Sequence, residues 1–386
     1  MTERKLATAA VRQGIESDTQ HGAVVPPIYL STNYAFDGHK TPRAFDYSRS
    51  GNPTRSILGD ALGELEQGCP GVVTASGMAA ITLVTSLLGP QDLLVVPHDC
   101  YGGSYRLFIN LAKKGNFKLL VIDQTDAKAV SDAFAQQPKM VWIETPSNPL
   151  VRVVDIAAMA AESHKVGALL VADNTFLSPA LQQPLTLGAD IVVHSTTKYI
   201  NGHSDVIGGA AIAKDPEVSE QLHWWSNTLG LTGGAFDSYL TLRGLRTMAL
   251  RVREHQANAQ KIVELLSHSD QVTKVYYPGL KDHPGHDIAA KQQKGFGAML
   301  SFELKGGEAE VTAFLGALNY FSTAESLGGV ESLVAVPATM THRAMAPEAR
   351  AEAGIKETLI RMSVGIEDPQ DLLNDIAAGL AAVAAC

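Results

Sequence analysis

Two apolar runs near the middle of the chain end in groups that could do chemistry. Ala168-Leu169-Leu170-Val171-Ala172 stops at Asp173, and Asp190-Ile191-Val192-Val193-His194 runs into Ser195-Thr196-Thr197-Lys198. Runs of this length, bounded by polar residues and joined by a turn-rich crossover, are expected to be neighbouring buried parallel strands. In such sheets chemistry gathers beyond the carboxyl ends of the strands. One end then offers a carboxylate, and the next offers hydroxyls and an amine. A lone lysine there is an ordinary surface charge, and a lone aspartate is a turn residue or helix cap. A lysine that follows Ser-Thr-Thr beside such an aspartate calls for more. Pyridoxal phosphate needs these groups: an amine for its aldehyde, an acid facing its ring nitrogen and donors for its phosphate.

The elements that must position them can be read on either side. Residues 1–50 show extended or turning segments such as Val24-Val25-Pro26-Pro27-Ile28, without sustained periodicity. Such an arm must bury its apolar residues on something, and a neighbouring subunit is one solution. Residues 54–67 read as a helix with Gly68 as its stop. Gly71-Val72-Val73-Thr74-Ala75 reads as a strand, Ser76-Gly77-Met78 as a turn, and 79–88 as an apolar helix. That order suits a phosphate held by free backbone N–H groups and a helix dipole, although Ser-Gly also serves as a plain cap. Strands are expected at 93–96, 141–144 and 208–213, and helices at 240–253 and 252–266. Further strands at 272–277, 299–304 and 358–364, with helices at 308–318 and 368–384, give a smaller α/β unit. Residues 1–50 are thus expected as the arm, 51–250 as the cofactor-binding domain and 251–386 as the C-terminal domain. Arg361 is a charge inside an apolar strand, which calls for a partner, in a structural ion pair or in a ligand.

At 386 residues, with 45% apolar content, 34 Gly and 18 Pro, the composition is that of a globular α/β enzyme of two to three domains. A net charge of −9 and the lack of a basic cluster argue against nucleic acid. The start, Met1-Thr2-Glu3-Arg4-Lys5, lacks the apolar core of a signal peptide, and no run approaches a membrane span. Cys69, Cys100 and Cys386 are odd in number and lack metal spacing, which suits a reducing cytoplasm without a disulfide framework or zinc site. The Ala-rich end, 376–386, is expected to pack on its own domain.

Asp173-Asn174-Thr175-Phe176 followed by His194-Ser195-Thr196-Thr197-Lys198-Tyr199-Ile200-Asn201-Gly202-His203-Ser204-Asp205 resembles the Cys/Met-metabolism family of pyridoxal-phosphate enzymes. The resemblance covers nearly the whole chain. It implies an α/β fold of type I, like aspartate aminotransferase, with a large mostly parallel-sheet domain and a smaller C-terminal α/β domain. It implies that Lys198 holds the cofactor and then moves protons at the substrate, while Asp173 keeps the ring nitrogen protonated. Ser76, Gly77, Met78, Ser195 and Thr197 would bind the phosphate. Tyr101, followed by two glycines, would stack on the ring and accept the proton of the incoming ammonium; on residues alone it is equally a tyrosine packed in a loop. Asn148, otherwise a turn residue, would donate to the 3′-oxygen.

For the substrate, the resemblance implies that Arg361 clamps the α-carboxylate. Arg106 and Arg49 would meet a distal acyl group, with Glu325 and Ser326 on the loop 321–330 facing the site. Tyr47 and Arg49, surface-turn residues by spacing, would reach across a dimer interface to the partner's cofactor phosphate. The expected assembly is a homotetramer, a dimer of dimers with shared active sites. Pro97-His98-Asp99-Cys100-Tyr101-Gly102-Gly103-Ser104-Tyr105-Arg106 is most similar to the branch that works by γ-replacement on an acylated homoserine. Succinylhomoserine and cysteine are the expected substrates, with cystathionine and succinate as products. Alternatives are members that cleave cystathionine at Cγ, a sulfhydrylase using sulfide, and an inactive scaffold on the same fold. The branch that cleaves at Cβ departs from Tyr101-Gly102-Gly103 and ranks below these.

Overall fold

Short apolar runs, several of them ending in a polar group, build two sheets in the computed structural model, which describes residues 4–343, 345 and 347–386. The first sheet contains β1 (Val72–Thr74), β2 (Leu93–Pro97), β3 (Lys118–Ile122), β4 (Met140–Glu144), β5 (Leu169–Asp173), β6 (Ile191–His194) and β7 (Gly209–Ala213). Their spatial order is β1-β7-β6-β5-β4-β2-β3, and only β7 runs against its neighbours. Every residue of β4, β6 and β7 is buried, because helices cover both faces of the sheet. Parallel register sets Glu144 opposite Asp173, and Asp173 opposite Val193. The carboxyl ends of β4, β5 and β6 therefore lie side by side.

Local capping fixes where the covering helices begin. Asn52 accepts from the N–H groups of Thr54 and Arg55 ahead of the helix Pro53–Glu66, with proline in its first turn. Asp155 caps Ile156–Lys165 in the same way, by accepting from Ala158 N. The helix after β1 is Gly77–Thr85, earlier at both ends than its sequence suggests, because the Ser76 hydroxyl accepts from Ala79 N and starts it at Gly77.

The second sheet contains β8 (Val272–Tyr276), β9 (Met299–Leu304), β10 (Ser322–Thr323), β11 (Leu333–Ala335) and β12 (Leu359–Ser363), in the order β10-β11-β12-β9-β8. Phe302, Phe314, Ile360, Ile376, Leu380 and Val383 share its core, so the Ala-rich terminus does pack there as helix Pro369–Ala384. The helix Met248–Ser267 joins the two cores: Met248 and Val252 belong to the first, and Ala259, Ile262 and Leu266 to the second.

The expected single helix over 240–253 is two helices. Ala235–Leu245 ends before Thr247, whose hydroxyl bonds back to Gly244 O at 3.1 Å, and a new helix starts at Met248. Before these two lies the helix Pro216–Leu229, capped by Asp215. In the arm, isolated bridges join Asn33 to Tyr47 and Gly38 to Thr41, and Val24, Val25, Leu30 and Phe36 are exposed. Among the described residues no helix is long and apolar enough to cross a membrane.

Candidate active site

The turn after β1 and the loop after β6 meet closely. A Cβ added at Gly77 would lie 2.8 Å from Ser195 Cβ, so glycine is what lets Ser195 cover the start of helix Gly77–Thr85. The first N–H groups of a helix have no intrahelical acceptor and carry partial positive charge. Ser76, Gly77, Met78 and Ser195 thus gather at a helix start of the kind that suits an anion. Ser195 N donates to Thr175 Oγ1 at 2.9 Å, tying this loop to the end of β5. Thr197 is committed to its own loop: its hydroxyl accepts from Gly208 N at 3.0 Å and donates to Gly208 O at 3.2 Å.

Lys198 Nζ donates to Ser326 Oγ at 2.7 Å. Burial lowers the Lys198 amine to about 8, the Arg361 guanidinium adds to this, and the Glu325 carboxylate opposes it. Asp173 accepts from Thr175 N at 3.0 Å. Burial raises its carboxyl, while bonds from Thr175 and the nearby His194 lower it. Glu144, the last residue of β4, accepts from Tyr101 N at 2.8 Å. Burial and the adjacent Asp173 carboxyl push Glu144 well above the usual carboxylate range.

Tyr101 folds its ring over Gly103, where a Cβ would come within 2.5 Å of the ring. The residue is still 43% exposed, so the chain leaves aromatic surface open to a stacking partner. Desolvation and the Glu325 carboxylate raise its phenol, against the opposing pull of Arg106 and Arg361. The ring is better placed as a platform than as a ready-made base. Arg106, on the helix Gly102–Lys113, and Glu325 are both exposed and flank this phenol with opposite charges.

Arg361, only 4% exposed, donates to Asn148 Oδ1 at 3.0 Å and to Ser326 O at 2.9 Å. Among the described residues it forms no ion pair, and its Nε has no partner. A buried guanidinium without an anion is what a substrate carboxylate would complete. Asn148 O accepts from His342 Nε2 at 3.1 Å, and burial lowers His342 to about 4, which keeps it neutral. Tyr47 and Arg49 stand apart from this cluster. Both are exposed; Arg49 donates to Asn227 Oδ1 at 3.0 Å and lies 5.3 Å from the centre of the Tyr47 ring.

The cluster fits pyridoxal phosphate on its own chemistry. It offers an amine, a helix start suited to an anion and an open aromatic face, with Asp173 making no ion pair among the described residues. A family model described as Cys/Met metabolism PLP-dependent enzyme matches residues 7–381. The chain belongs to this family. Its cofactor is accordingly pyridoxal 5′-phosphate, and its two sheets are those of a fold type I enzyme.

Other members of the Cys/Met metabolism family are alike over almost their full length. Cystathionine gamma-synthase of Escherichia coli (strain K12) is 60% identical over 380 residues, covering 98% of each chain. The crystal structure of cystathionine gamma synthase from Xanthomonas oryzae pv. oryzae in complex with cystathionine has a TM-score of 0.99 at 62% identity, covering 100% of both. Cystathionine beta-lyase of Lactococcus lactis subsp. cremoris (strain MG1363) is 46% identical over 371 residues, covering 96% of this chain and 97% of its own. Family membership therefore fixes the cofactor more firmly than the direction of reaction.

Sequence reasoning placed Glu144 at a strand end but gave it no role, although an acid closing the apolar run Val141-Trp142-Ile143 is the signal that singled out Asp173. It passed over His342, and over Glu66, buried at a helix end with no local pattern to mark it.

Proposed function

We propose that this chain is a cystathionine γ-synthase that joins O-succinyl-L-homoserine and L-cysteine into L-cystathionine, releasing succinate. The Cγ–O bond of the ester breaks and a Cγ–S bond forms, with the thiol proton leaving to solvent or base. This is a transsulfuration step towards methionine, placed in the cytoplasm. The observation that carries the reading is the pair of opposite charges around Tyr101. Arg106 suits the distal carboxylate of a succinyl ester, and Glu325 suits the ammonium that cystathionine bears at its far end. The two relatives named as γ-synthases support it.

In this reading Lys198 would hold the cofactor aldehyde, and its amine would remove the substrate's Cα proton and move protons at the substrate. Bound there, pyridoxal 5′-phosphate supplies an electron sink for the charge that develops at Cα. Asp173 would face the ring nitrogen, and Tyr101 would stack on the ring as its platform. Asn148 donates to the 3′-oxygen. Ser76, Gly77, Met78, Ser195 and Thr197 hold the phosphate. Arg361 binds the α-carboxylate, Ser326 keeps Lys198 within reach, and Arg49, reaching across the dimer interface, assists Arg106 in the other subunit's site.

Residues 51–250 form the cofactor domain in this account, and 251–386 the smaller one. Residues 1–50 pack on a second subunit, where Tyr47 and Arg49 reach the partner's phosphate. The exposed Val24, Val25, Leu30 and Phe36 support that placement, as does the separation of Tyr47 and Arg49 from Lys198. Two such dimers make the tetramer. The lyase-named relative keeps a second reading open, in which the same cofactor residues cleave cystathionine. Assays of succinyl-, acetyl- and phospho-homoserine, each with and without cysteine, test the first. Arg106→Ala is expected to lower kcat/KM for the succinyl ester more than for the acetyl ester. Equal losses would remove Arg106 from acyl recognition.

A further inference from the structure

A polar layer lies buried against the ends of the site strands. Glu66, the last residue of helix Pro53–Glu66, is fully buried. Its Oε1 meets His194 Nε2 at 2.6 Å and accepts from Asn174 Nδ2 at 3.0 Å. Asn174 follows Asp173 at the end of β5, and His194 ends β6 just before the lysine loop. Asn174 Nδ2 also donates to Gln182 O at 2.7 Å, and Gln182 Nε2 donates to Thr145 O at 2.8 Å. One carboxylate thus links the elements that carry Asp173 and Lys198, and through Gln182 the end of β4.

Stability alone would not place an acid there. A helix C-terminus carries partial negative charge, and burial disfavours an anion that lacks a cation. Among the described residues His194 is the group that ion-pairs with Glu66, and Glu66 Oε2 and His194 Nδ1 have no other partner. His194 directly follows Val193, the register partner of Asp173. The charged and titratable groups that interact with Asp173 are Glu144 from β4, Cys100 from the turn after β2, and His194 from β6.

We propose that Glu66 is a positioning residue for the cofactor: through its pairing with His194 and its bond to Asn174 it keeps Asp173 anionic opposite the ring nitrogen. The bonds to Asn174 and His194 fix the acid and the lysine loop relative to one another. This rests on Asp173 facing the ring nitrogen.

The test is 15N NMR of the holoenzyme carrying ring-labelled pyridoxal phosphate, read as the pH midpoint of ring-nitrogen deprotonation. Glu66→Gln keeps the shape and removes the charge. Its midpoint is expected to fall by at least about one pH unit, a tenfold change in the proton equilibrium. His194→Gln should give a similar fall, and it decides the matter if Glu66→Gln does not fold. Glu66→Asp, which keeps the charge, should restore much of the midpoint. Asp173→Asn is the control, since it must lower the midpoint if Asp173 faces the nitrogen. A fall in Asp173→Asn with none in folded Glu66→Gln or His194→Gln overturns the proposal for Glu66 alone. No fall in Asp173→Asn overturns the placement of Asp173 and the proposal with it. Weaker cofactor binding with an unmoved midpoint makes Glu66 a packing residue and also overturns it.

Discussion

Lys198 Nζ donates to the Ser326 hydroxyl across 2.7 Å, and Ser326 holds a backbone φ of +93°. Positive φ is costly for a residue with a side chain and tends to persist where the surroundings enforce it. Here Arg361 bonds the Ser326 carbonyl at 2.9 Å. The residue proposed to clamp the substrate therefore also positions the acceptor of the lysine.

The first prediction concerns pH. Lys198 titrates near 8 instead of its usual 10.5, so the cofactor-free chain should capture pyridoxal phosphate with a rate that rises through pH 8. The folded value lies below the unfolded one, so the stability linked to Lys198 is complete above pH 10.5. It is lost as pH falls towards 8. Ser326→Ala removes a bond that favours the charged amine and should move the midpoint lower. Stopped-flow capture at a series of pH values reads both, and a midpoint near that of free lysine would contradict the account.

Arg361→Lys keeps a charge but loses the planar fork. A charge-assisted hydrogen bond contributes about 1.5–3 kcal/mol, so kcat/KM should fall at least about tenfold. The visible spectrum of the bound cofactor should not change. An unaltered kcat/KM would make Arg361 a structural cation that ties Asn148 to Ser326.

Gly77→Ala places a methyl group 2.8 Å from Ser195 Cβ, which the loop can relieve only by moving away from the helix start. The variant should fold, as followed by far-UV circular dichroism, yet bind pyridoxal phosphate at least about tenfold more weakly, since a contact this close has little slack. Wild-type affinity would mean that Ser195 and Gly77 do not hold the phosphate.

Shared sites predict complementation. Arg49→Ala and Lys198→Ala should each be inactive, the second without the absorbance of lysine-bound cofactor. Mixed under conditions of demonstrated subunit exchange, they should regain part of the activity. Exchange without recovery would confine Tyr47 and Arg49 to their own subunit.

The fold and the centre of the site were legible where one residue type did one job. β9 was expected with the boundaries it has, and Asp173 and Lys198 stood out because each ends an apolar run in a charge. Edge strands were harder. β3 begins with the exposed Lys118 and its other residues are half-buried, so it lacks the signature of a central strand. The break at Thr247 depends on a hydroxyl that bonds back to Gly244, which no periodicity encodes. Arg361 announced itself as a charge in an apolar strand; its lack of an ion-pair partner became visible only in three dimensions. Glu66 is joined to His194 across 128 residues, and a contact so distant leaves no local pattern.

The central claim is the direction of the reaction, and product identification in a single assay tests it most directly. Purified enzyme supplied with succinylhomoserine and cysteine should yield cystathionine as its main product, with succinate released in equal amount. Without cysteine it should turn succinylhomoserine over slowly to 2-oxobutyrate, ammonia and succinate. Cystathionine offered alone should be cleaved more slowly than it is made. Rapid cleavage of cystathionine, with succinylhomoserine left untouched, would contradict the synthase reading and establish a lyase.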